Sequence, residues 1–356
     1  MKIKFLKAGN GDSIWISYTD EEGNSRNILI DGGVSETYFD PKLNRYGDLY
    51  TTIQEIKSRK EKIDLLILSH IDNDHIEGLL QWFEMDEQAH MLVEKVWFNS
   101  GKAIAGFYKE EMNDGLKFYL RKKSVETGVP EALIFEDYLL KHKLWDKKLV
   151  VQGDTLDLGG CVIKVLTPTH DQLKKLLKEY KNKTKDPIYT GAKISDWSLD
   201  LKKLILAEER PDFKFRQDNS VKNGSSISCI IEYKERKFLF LADSHPKAVI
   251  KALIGEGYTK TNPLKVDFFQ IAHHGSKANN NRKLLEIVRT NNYVISTDSS
   301  THHHPHKSLL GRIIAVNQSA TLHFNYDRVR KGVFTKNDFE DYKEFKTRLI
   351  SEYDGL

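Results

Sequence analysis

The segment Ile63-Asp64-Leu65-Leu66-Ile67-Leu68-Ser69-His70-Ile71-Asp72-Asn73-Asp74-His75-Ile76-Glu77-Gly78 decides the fold of this chain. Its apolar first part predicts a buried strand, and the residues after it, from 76 to 83, predict the start of a helix. Four candidate metal ligands stand at the turn between them: His70, Asp72, Asp74 and His75. Mixed imidazole and carboxylate ligands suit Zn²⁺, Mn²⁺ or Fe better than Ca²⁺. Helix capping is the alternative explanation, but it accounts for one aspartate and neither histidine.

The composition is that of a globular protein, with 356 residues of which 39% are hydrophobic and 30% are charged. No apolar stretch approaches the roughly 18 to 20 residues that a membrane span needs, and the first residues lack the pattern of a signal peptide. We therefore expect a cytoplasmic protein with no membrane partner. Two cysteines, Cys161 and Cys229, lie in apolar runs and are predicted to be buried. A net charge of +4 does not indicate nucleic acid binding, although it does not oppose an anionic substrate.

Hydrophobic patterns predict alternating strands and helices along most of the chain. Strands are expected over 2–6, 13–18, 27–30, 63–68, 93–98, 149–152, 161–166, 226–233, 238–243, 266–272 and 293–296. Helices are expected over 172–181, 246–254, 281–290 and 306–316, followed by a short charged tail. The charged ranges 84–150 and 168–222 are interpreted as insertions in a single domain that spans residues 1–356.

Three further segments place candidate ligands where predicted strands end. Asp243 ends the run Phe238-Leu239-Phe240-Leu241-Ala242, a position from which a carboxylate can bridge two metals. Its alternative role is a helix N-cap. His273 and His274 end a second run before Gly275, and His302-His303-His304-Pro305-His306 follows a third. The last segment could also be a histidine-rich surface loop.

Together these segments resemble the metallo-β-lactamase superfamily, whose motif is His-x-His-x-Asp-His at the end of a strand. Asp72 stands where the second histidine of that motif is usual. The resulting pattern is similar to the hydrolase domain of ComEC-type DNA-uptake channels and its soluble relatives, which include phosphorylcholine esterases. The other motifs of that branch follow in order: Gly9-Asn10-Gly11-Asp12, Leu29-Ile30-Asp31-Gly32-Gly33, Asn223-Gly224-Ser225-Ser226, Leu241-Ala242-Asp243, His273-His274-Gly275-Ser276 and His304-Pro305-His306.

The resemblance implies an α/β fold of four layers, an αββα sandwich of two sheets with helices outside, and two divalent metal ions, Zn²⁺ first and Mn²⁺ second. The implied metal ligands are His70, Asp72, Asp74, His75, a bridging Asp243, and His274 or His273. The implied catalytic residues are Asp74, His273, His304 and His306, the last two for leaving-group protonation and anion binding. The implied substrate-binding residues are Asn223, Ser226 and Ser276. The remaining ligand position falls to Asn223 or to His170.

The expected activity is metal-dependent hydrolysis of a phosphodiester, in nucleic acid or in a small phosphorylated molecule. Two metals about 3.5 to 4 Å apart would share the attacking hydroxide. Hydrolysis of a lactone, thioester or ester is the alternative within enzymes. The alternative outside enzymes is a partner-binding subunit, for example of a defence system, which would contact its protein partner through the two insertions. Aromatic residues at 82, 83, 97, 98, 107 and 108 would either fill the core or line a ligand pocket.

Overall fold

The computed structural model describes residues 1–112, 128–182 and 195–354. Its strands are β1 (Lys2–Phe5), β2 (Ile14–Thr19), β3 (Ser25–Ile30), β4 (Phe39–Asp40), β5 (Arg45–Tyr46), β6 (Leu65–Ile67), β7 (Val96–Trp97), β8 (Thr155–Asp157), β9 (Cys161–Thr167), β10 (Ser228–Tyr233), β11 (Arg236–Phe240), β12 (Leu264–Lys265), β13 (Phe268–Gln270), β14 (Val288–Arg289), β15 (Asn292–Ile295), β16 (Thr321–Phe324), β17 (Lys346–Leu349) and β18 (Glu352–Asp354).

The α-helices of the same described ranges are α1 (Asp48–Ser58), α2 (Asn73–Met85), α3 (Ala89–Leu92), α4 (Gly101–Tyr108), α5 (Val129–His142), α6 (His170–Asn182), α7 (Leu201–Glu209), α8 (Val221–Gly224), α9 (Pro246–Gly255), α10 (Arg282–Ile287), α11 (Lys307–Val316), α12 (Asp327–Gly332) and α13 (Lys336–Asp341). None of these helices is both long and apolar enough to cross a membrane.

Most of these strands form two large sheets, whereas β4 pairs only with β5 and β12 only with β14 in the described ranges. The first has the order β18-β1-β2-β3-β6-β7, and the second has the order β17-β16-β15-β13-β11-β10-β9-β8. In both sheets antiparallel hairpins give way to parallel strands, from β3 onward in the first and from β11 onward in the second. The carboxyl ends of parallel strands lie at one edge of a sheet, and the chain leaves β6, β11 and β13 there to enter the candidate site.

Apolar side chains separate the layers. Alternate residues of β2, such as Ile14 and Ile16, face alternate residues of β9 and β10 across the gap between the sheets. The outer face of the first sheet packs on α1, α2, α4, α5 and α6, and that of the second packs on α7, α9, α10 and α11. The predicted αββα sandwich is therefore confirmed. Cys161 and Cys229 are free and buried between the sheets, as expected.

Two expectations about local structure are wrong. Residues 149–152 form no strand, because the N–H and C=O of Val150 are bonded to the side-chain amide of Asn99. Strand β8, a few residues later, pairs with β9 instead. The chain also does not end in a simple tail, since β16 and β17 extend the second sheet and β18 pairs with β1 in the first.

The two ranges interpreted as insertions contribute to the layers. In the first range, β7 pairs with β6 and α5 packs on α2. In the second range, α6 packs on α4 and α7 packs on α11. Residues 113–127 and 183–194 of these ranges lie outside the described residues. The division into one domain with two insertions stays a prediction.

Candidate metal centre

The first predicted motif lies at the carboxyl end of β6 and the start of α2. His70 is 3% exposed and His75 is fully buried, whereas Asp72 and Asp74 face a more open side. Asp72 is the N-cap residue of α2, yet its side chain makes no capping hydrogen bond. Its Oδ2 lies instead 3.7 Å from Nε2 of His70. The capping explanation therefore does not account for Asp72.

Asp243 lies between two sets of donor atoms. We call the first donor group His70, Asp72, His273 and Oδ2 of Asp243. Oδ2 of Asp243 is 3.7 Å from Nε2 of His70 and 3.5 Å from Nε2 of His273. Ligand atoms of a tetrahedral site with bonds of 2.0 to 2.2 Å lie about 3.4 Å apart, so these separations suit one small cation.

The second donor group is Asp74, His75, His274 and Oδ1 of Asp243. Oδ1 lies 3.6 Å from Nε2 of His75 and 3.4 Å from Nε2 of His274. The two Nε2 atoms are 3.2 Å apart, and Asp74 reaches within 3.6 Å of His274. Asp243 thus offers one oxygen to each group, which is the arrangement of a carboxylate that bridges two metals.

The adjacent histidines of the second motif both face Asp243. Neighbouring side chains of a strand point to opposite faces, so an extended backbone would turn one imidazole away. His273 and His274 instead adopt left-handed conformations, with φ values of 51° and 53°, directly after β13. Such conformations are costly for residues other than glycine and cluster at functional sites. The sequence left open which histidine serves as a ligand, and the geometry brings both to the donor groups.

All four imidazoles of the donor groups are held at Nδ1, which leaves Nε2 directed at the centre. Asp31 Oδ2 accepts from His75 at 2.8 Å, the Ser296 carbonyl from His274 at 3.2 Å, and Asn279 Oδ1 from His273 at 2.9 Å. Ser69 Oγ lies 3.0 Å from Nδ1 of His70 and itself donates to Asp31. Metal-binding histidines characteristically donate their second ring nitrogen in this way.

Buried atoms without partners indicate that a cation fits this centre. In the described part of the chain, Nε2 of His70 and Oδ1 of Asp243 are buried and have no hydrogen-bond partner. Buried polar atoms are nearly always satisfied, so such atoms require an explanation. Burial also raises the pKa of the Asp243 carboxyl to about 7. A divalent ion would satisfy these atoms and hold the carboxyl ionised.

Asp218, which sequence reasoning did not single out, lies behind His273. Its Oδ2 is 3.6 Å from Nδ1 of His273 and accepts from the amides of Asn223 and Asn279 at 2.8 and 3.1 Å. Although burial acts against it, the carboxylates of Asp243 and Asp218 raise the pKa of His273 to about 10. A cation bound at Nε2 would displace the proton that His273 carries without it.

The predicted substrate and catalytic residues surround the donor groups. Asn223 and Ser226 are buried, and in the described ranges Oδ1 of Asn223 and Oγ of Ser226 have no partner. Ser276 is buried in the loop after His274, where its Oγ accepts from the backbone of residue 278. The ring of His304 is centred 5.0 Å from that of His273.

His306 has a fixed tautomer. Its Nδ1 accepts the backbone N–H of Lys277 at 3.2 Å, so its Nε2 carries the ring proton and acts as a donor. Its ring centre lies 4.8 Å from that of His304. These two imidazoles therefore extend the polar site beyond the donor groups.

His170, the alternative to Asn223 for the remaining ligand position, lies elsewhere. It is exposed, stacks on Phe107 and interacts through Nδ1 with the Tyr108 hydroxyl at 2.7 Å. Asn223 Nδ2 is instead 3.4 Å from Nδ1 of His273. The aromatic residues at 82, 83, 97 and 98 are buried in the core, which was one of the two roles expected for them.

Further functional residues come from motifs whose roles the sequence did not reveal. One ligand atom each of Asp12, His75, Asp243 and His274 lies within 4.8 Å of the others. Asp12 and Asp31 both lie in motifs of the branch resemblance, which is the signal that could have marked them. Lys222 is buried, with Nζ 3.4 Å from Oδ1 of Asp72, and no sequence pattern distinguishes it from other lysines.

A cavity of about 680 Å³ is connected to the second donor group through one of its lining residues, Asn10. Asn10 lines it and donates from Nδ2 to Oδ2 of Asp74 at 2.8 Å. The charged residues of its lining are Lys7, Glu36, Asp40, Arg45, Asp48 and Asp298. Four carboxylates and two cations therefore face this space, together with the aromatic rings of Tyr46 and Tyr326. Its volume is that of a small-molecule site.

Comparison with known proteins identifies the family. The profile of the metallo-beta-lactamase superfamily matches residues 8–299. This chain belongs to that superfamily, and its buried cluster of aspartate and histidine could hold a metal ion.

Among curated proteins, the ComE operon protein 3 of Bacillus subtilis (strain 168) is 23% identical over 366 residues, which cover 99% of this chain and 35% of that protein. This chain thus spans about a third of that relative. Similar solved structures include CmlA, a diiron beta-hydroxylase from Streptomyces venezuelae, with 14% identity, a TM-score of 0.42, and 99% of this chain and 53% of that one covered. The metallo-beta-lactamase fold protein YhfI from Bacillus subtilis has 11% identity and a TM-score of 0.38, and the match covers 99% of this chain and 98% of that one.

Proposed function

We propose that this protein is a metal-dependent phosphodiesterase that acts on a small phosphorylated molecule. One observation carries the proposal: four imidazoles, each held at Nδ1, direct Nε2 at the two oxygens of Asp243. Nitrogen and carboxylate donors in two groups fit a pair of divalent ions, with Zn²⁺ the first choice and Mn²⁺ the second.

The roles of the surrounding side chains follow from their positions. Two divalent ions bound there would supply Lewis acidity and lower the pKa of water from about 15.7 to about 7. Asp74, fixed by Asn10, would hold the proton of the attacking water. Burial holds the pKa of His304 well below its usual value, so its neutral ring would donate a hydrogen bond to the leaving-group oxygen, and His306 would donate from Nε2 to a phosphoryl oxygen.

The charges around the site favour a substrate whose reacting group is anionic and whose remaining part is small. The buried ammonium of Lys222 places positive charge beside the first donor group. Burial lowers the pKa of His304 and of His306, so their imidazoles supply hydrogen-bond donors rather than charge. The neighbouring cavity carries more carboxylates than cations, which opposes a long polyanion because phosphate contacts dominate nucleic acid binding. A small phosphodiester fits both features, because its anionic group suits the charge beside the first donor group and it has no long chain of phosphates to be repelled by the cavity.

The test combines metal content by mass spectrometry with hydrolysis of bis-p-nitrophenyl phosphate. We expect two ions per chain and an activity that falls about a thousandfold in Asp74→Ala. Asp171→Ala is the matched control, because Asp171 also lies in the first turn of a helix but is exposed, on α6 rather than α2. A single-stranded oligonucleotide, assayed in parallel, should be a poor substrate.

Other outcomes would redirect the proposal. Two bound ions without phosphodiesterase activity would favour an ester, thioester or lactone substrate. Efficient, salt-sensitive cleavage of the oligonucleotide would replace the small molecule by nucleic acid. Absence of metal after reconstitution with Zn²⁺ or Mn²⁺ would overturn the proposal of an enzyme. A partner-binding protein with a hydrolase fold would then be the better proposal.

A further inference from the structure

The helix that follows His306 is capped by a residue from a distant part of the chain. His306 is the N-cap residue of α11, and its side chain makes no capping bond. Asp196 provides the missing acceptors: Oδ1 accepts from the N–H of Lys307 at 2.7 Å and Oδ2 from the N–H of Ser308 at 3.0 Å. A carboxylate at this end is also favoured by the helix dipole. Because Asp196 caps the helix, the imidazole of His306 is available to the site.

The residue next to Asp196 holds the same loop. Nε1 of Trp197 donates to the carbonyl oxygen of Pro305 at 2.8 Å. In return, the buried ammonium of Lys307 donates to the carbonyl oxygens of Trp197 and Leu199 at 3.1 and 2.7 Å. Lys307 is fully buried and pairs with Asp338 at 2.6 Å, so its charge is compensated. Residues 196–199 and 305–308 are therefore linked in both directions.

The other end of the same segment reaches the loop that carries His273 and His274. Glu208, in α7, forms a bidentate pair with Arg312 of α11, with both contacts at 2.6 Å. Nη1 of Arg312 in turn donates to the carbonyl oxygens of Lys277, at 3.0 Å, and of Asn280. Arginine and carboxylate pairs of this geometry fix orientation as well as distance.

We propose that residues 196–208 act as a brace that fixes the His304–His306 loop relative to the His273–His274 loop, with Asp196 as a positioning residue. This inference rests on the proposed function for its activity readout. Among the described residues, the brace forms no hydrogen bond or ion pair with a donor group, and it acts through His306 and the backbone around it. A displacement of about 1 Å between catalytic groups can cost about a hundredfold in rate, so the brace controls turnover rather than metal binding.

The experiment compares Asp196→Ala with Asp157→Ala in the metal-loaded protein. Asp157 is the control, because it also accepts a backbone N–H, that of Gly160 at 2.8 Å, but is exposed in β8 and lies outside the brace. We expect Asp196→Ala to lower kcat by about 10- to 100-fold, with KM and the metal content unchanged, and Asp157→Ala to keep the kcat of the wild type. Hydrogen exchange at the amides of residues 307 and 308 should accelerate in Asp196→Ala alone.

Equal kcat values for the two variants, or unchanged exchange at residues 307 and 308 in Asp196→Ala, would overturn the brace. If Asp196→Ala does not fold, Trp197→Phe replaces it, since it keeps a ring and removes one hydrogen bond; we expect a kcat lower by about three- to tenfold. A wild-type protein inactive on phosphodiesters would overturn the proposed function only. The hydrogen exchange at residues 307 and 308 would then be the test of the brace, and faster exchange in Asp196→Ala would support it.

Discussion

Nε2 of His75 and Nε2 of His274 lie 3.2 Å apart although the two residues are 199 positions apart in the chain. His75 belongs to α2, which follows β6 of the first sheet, and His274 follows β13 of the second. The second donor group therefore forms only when the two sheets pack against each other. Metal affinity and the folding of the sandwich should be linked, because a site of this kind does not exist in the unfolded chain.

Replacing the shared carboxylate should affect both ions. Asp243→Ala removes one oxygen from each donor group, so we expect the metal content to fall from two ions to one or fewer. Hydrolysis should decrease by about a thousandfold or more. Mass spectrometry of the purified variant, with circular dichroism to establish folding, measures this. Retention of two ions in a folded variant would contradict the bridging role.

Asp31 should control metal affinity without being a ligand. Its Oδ2 accepts from His75, and its Oδ1 accepts the N–H of Ser69 at 2.7 Å. An asparagine cannot accept all of these bonds, so Asp31→Asn should weaken metal binding by about 10- to 100-fold. Competition with a chelating dye measures the change. Asp64→Asn is the control, because Asp64 is also a hydrogen-bonded carboxylate and accepts from Asn27 and Arg26 instead of from a residue of the donor groups. Equal affinities would show that Asp31 is structural only.

Gly11 should be required for the position of Asp74. A Cβ added at Gly11 would collide with the backbone carbonyl of Asp74, where α2 begins. We expect Gly11→Ala to lower stability and metal content together. Gly106→Ala, in α4, is the control, since a Cβ there meets no atom within 4 Å and alanine favours a helix by up to about 1 kcal/mol. Thermal unfolding with metal analysis distinguishes the variants, and an unchanged Gly11→Ala would contradict the close approach.

The remaining ligand position can be tested by two alanine variants. Asn223 lies beside His273, whereas His170 packs on Phe107 at the surface. We expect Asn223→Ala to lower kcat/KM by about tenfold, because it removes a polar group close to the centre. His170→Ala should keep both the metal content and kcat/KM. A loss of metal in His170→Ala would show that its position differs in the working protein.

His323 should make the free energy of unfolding depend on pH. Burial, with a smaller effect of Arg348, lowers the pKa of His323 to about 4, from about 6.5 in an unfolded chain. The unfolded state therefore binds more protons between these values, and stability decreases as the pH falls from 6.5 towards 4. The full difference is on the order of 3 kcal/mol. Urea unfolding of the metal-free protein should show a shallower decrease in His323→Gln. Parallel profiles for the two proteins would contradict the assignment.

Short-range patterns were enough to predict much of this molecule. The run at 63–68 contains strand β6 (Leu65–Ile67) because it is apolar and bounded by polar residues. His70, Asp72, Asp74 and His75 fall together because they lie within six residues at the start of α2. The same reasoning failed at residues 149–152, where the side chain of Asn99 takes the backbone bonds that a strand would use. It also missed the last strands, which short polar sequences form by pairing with existing sheet edges.

The sequence by itself determined much of the order of strands and helices, the family, and the residues of the first motif, because these depend on neighbours in the chain. The tertiary structure alone decided that His273 and His274 both face Asp243, that Asp31 and Asp218 lie behind their histidines, and that Asp196 caps a helix more than 100 residues away. Such contacts depend on how two sheets and their outer helices pack, and nothing in the sequence distinguishes Asp196 and Asp218 from other aspartates. Only the packed layers bring their carboxylates to the imidazoles and amides that they hold.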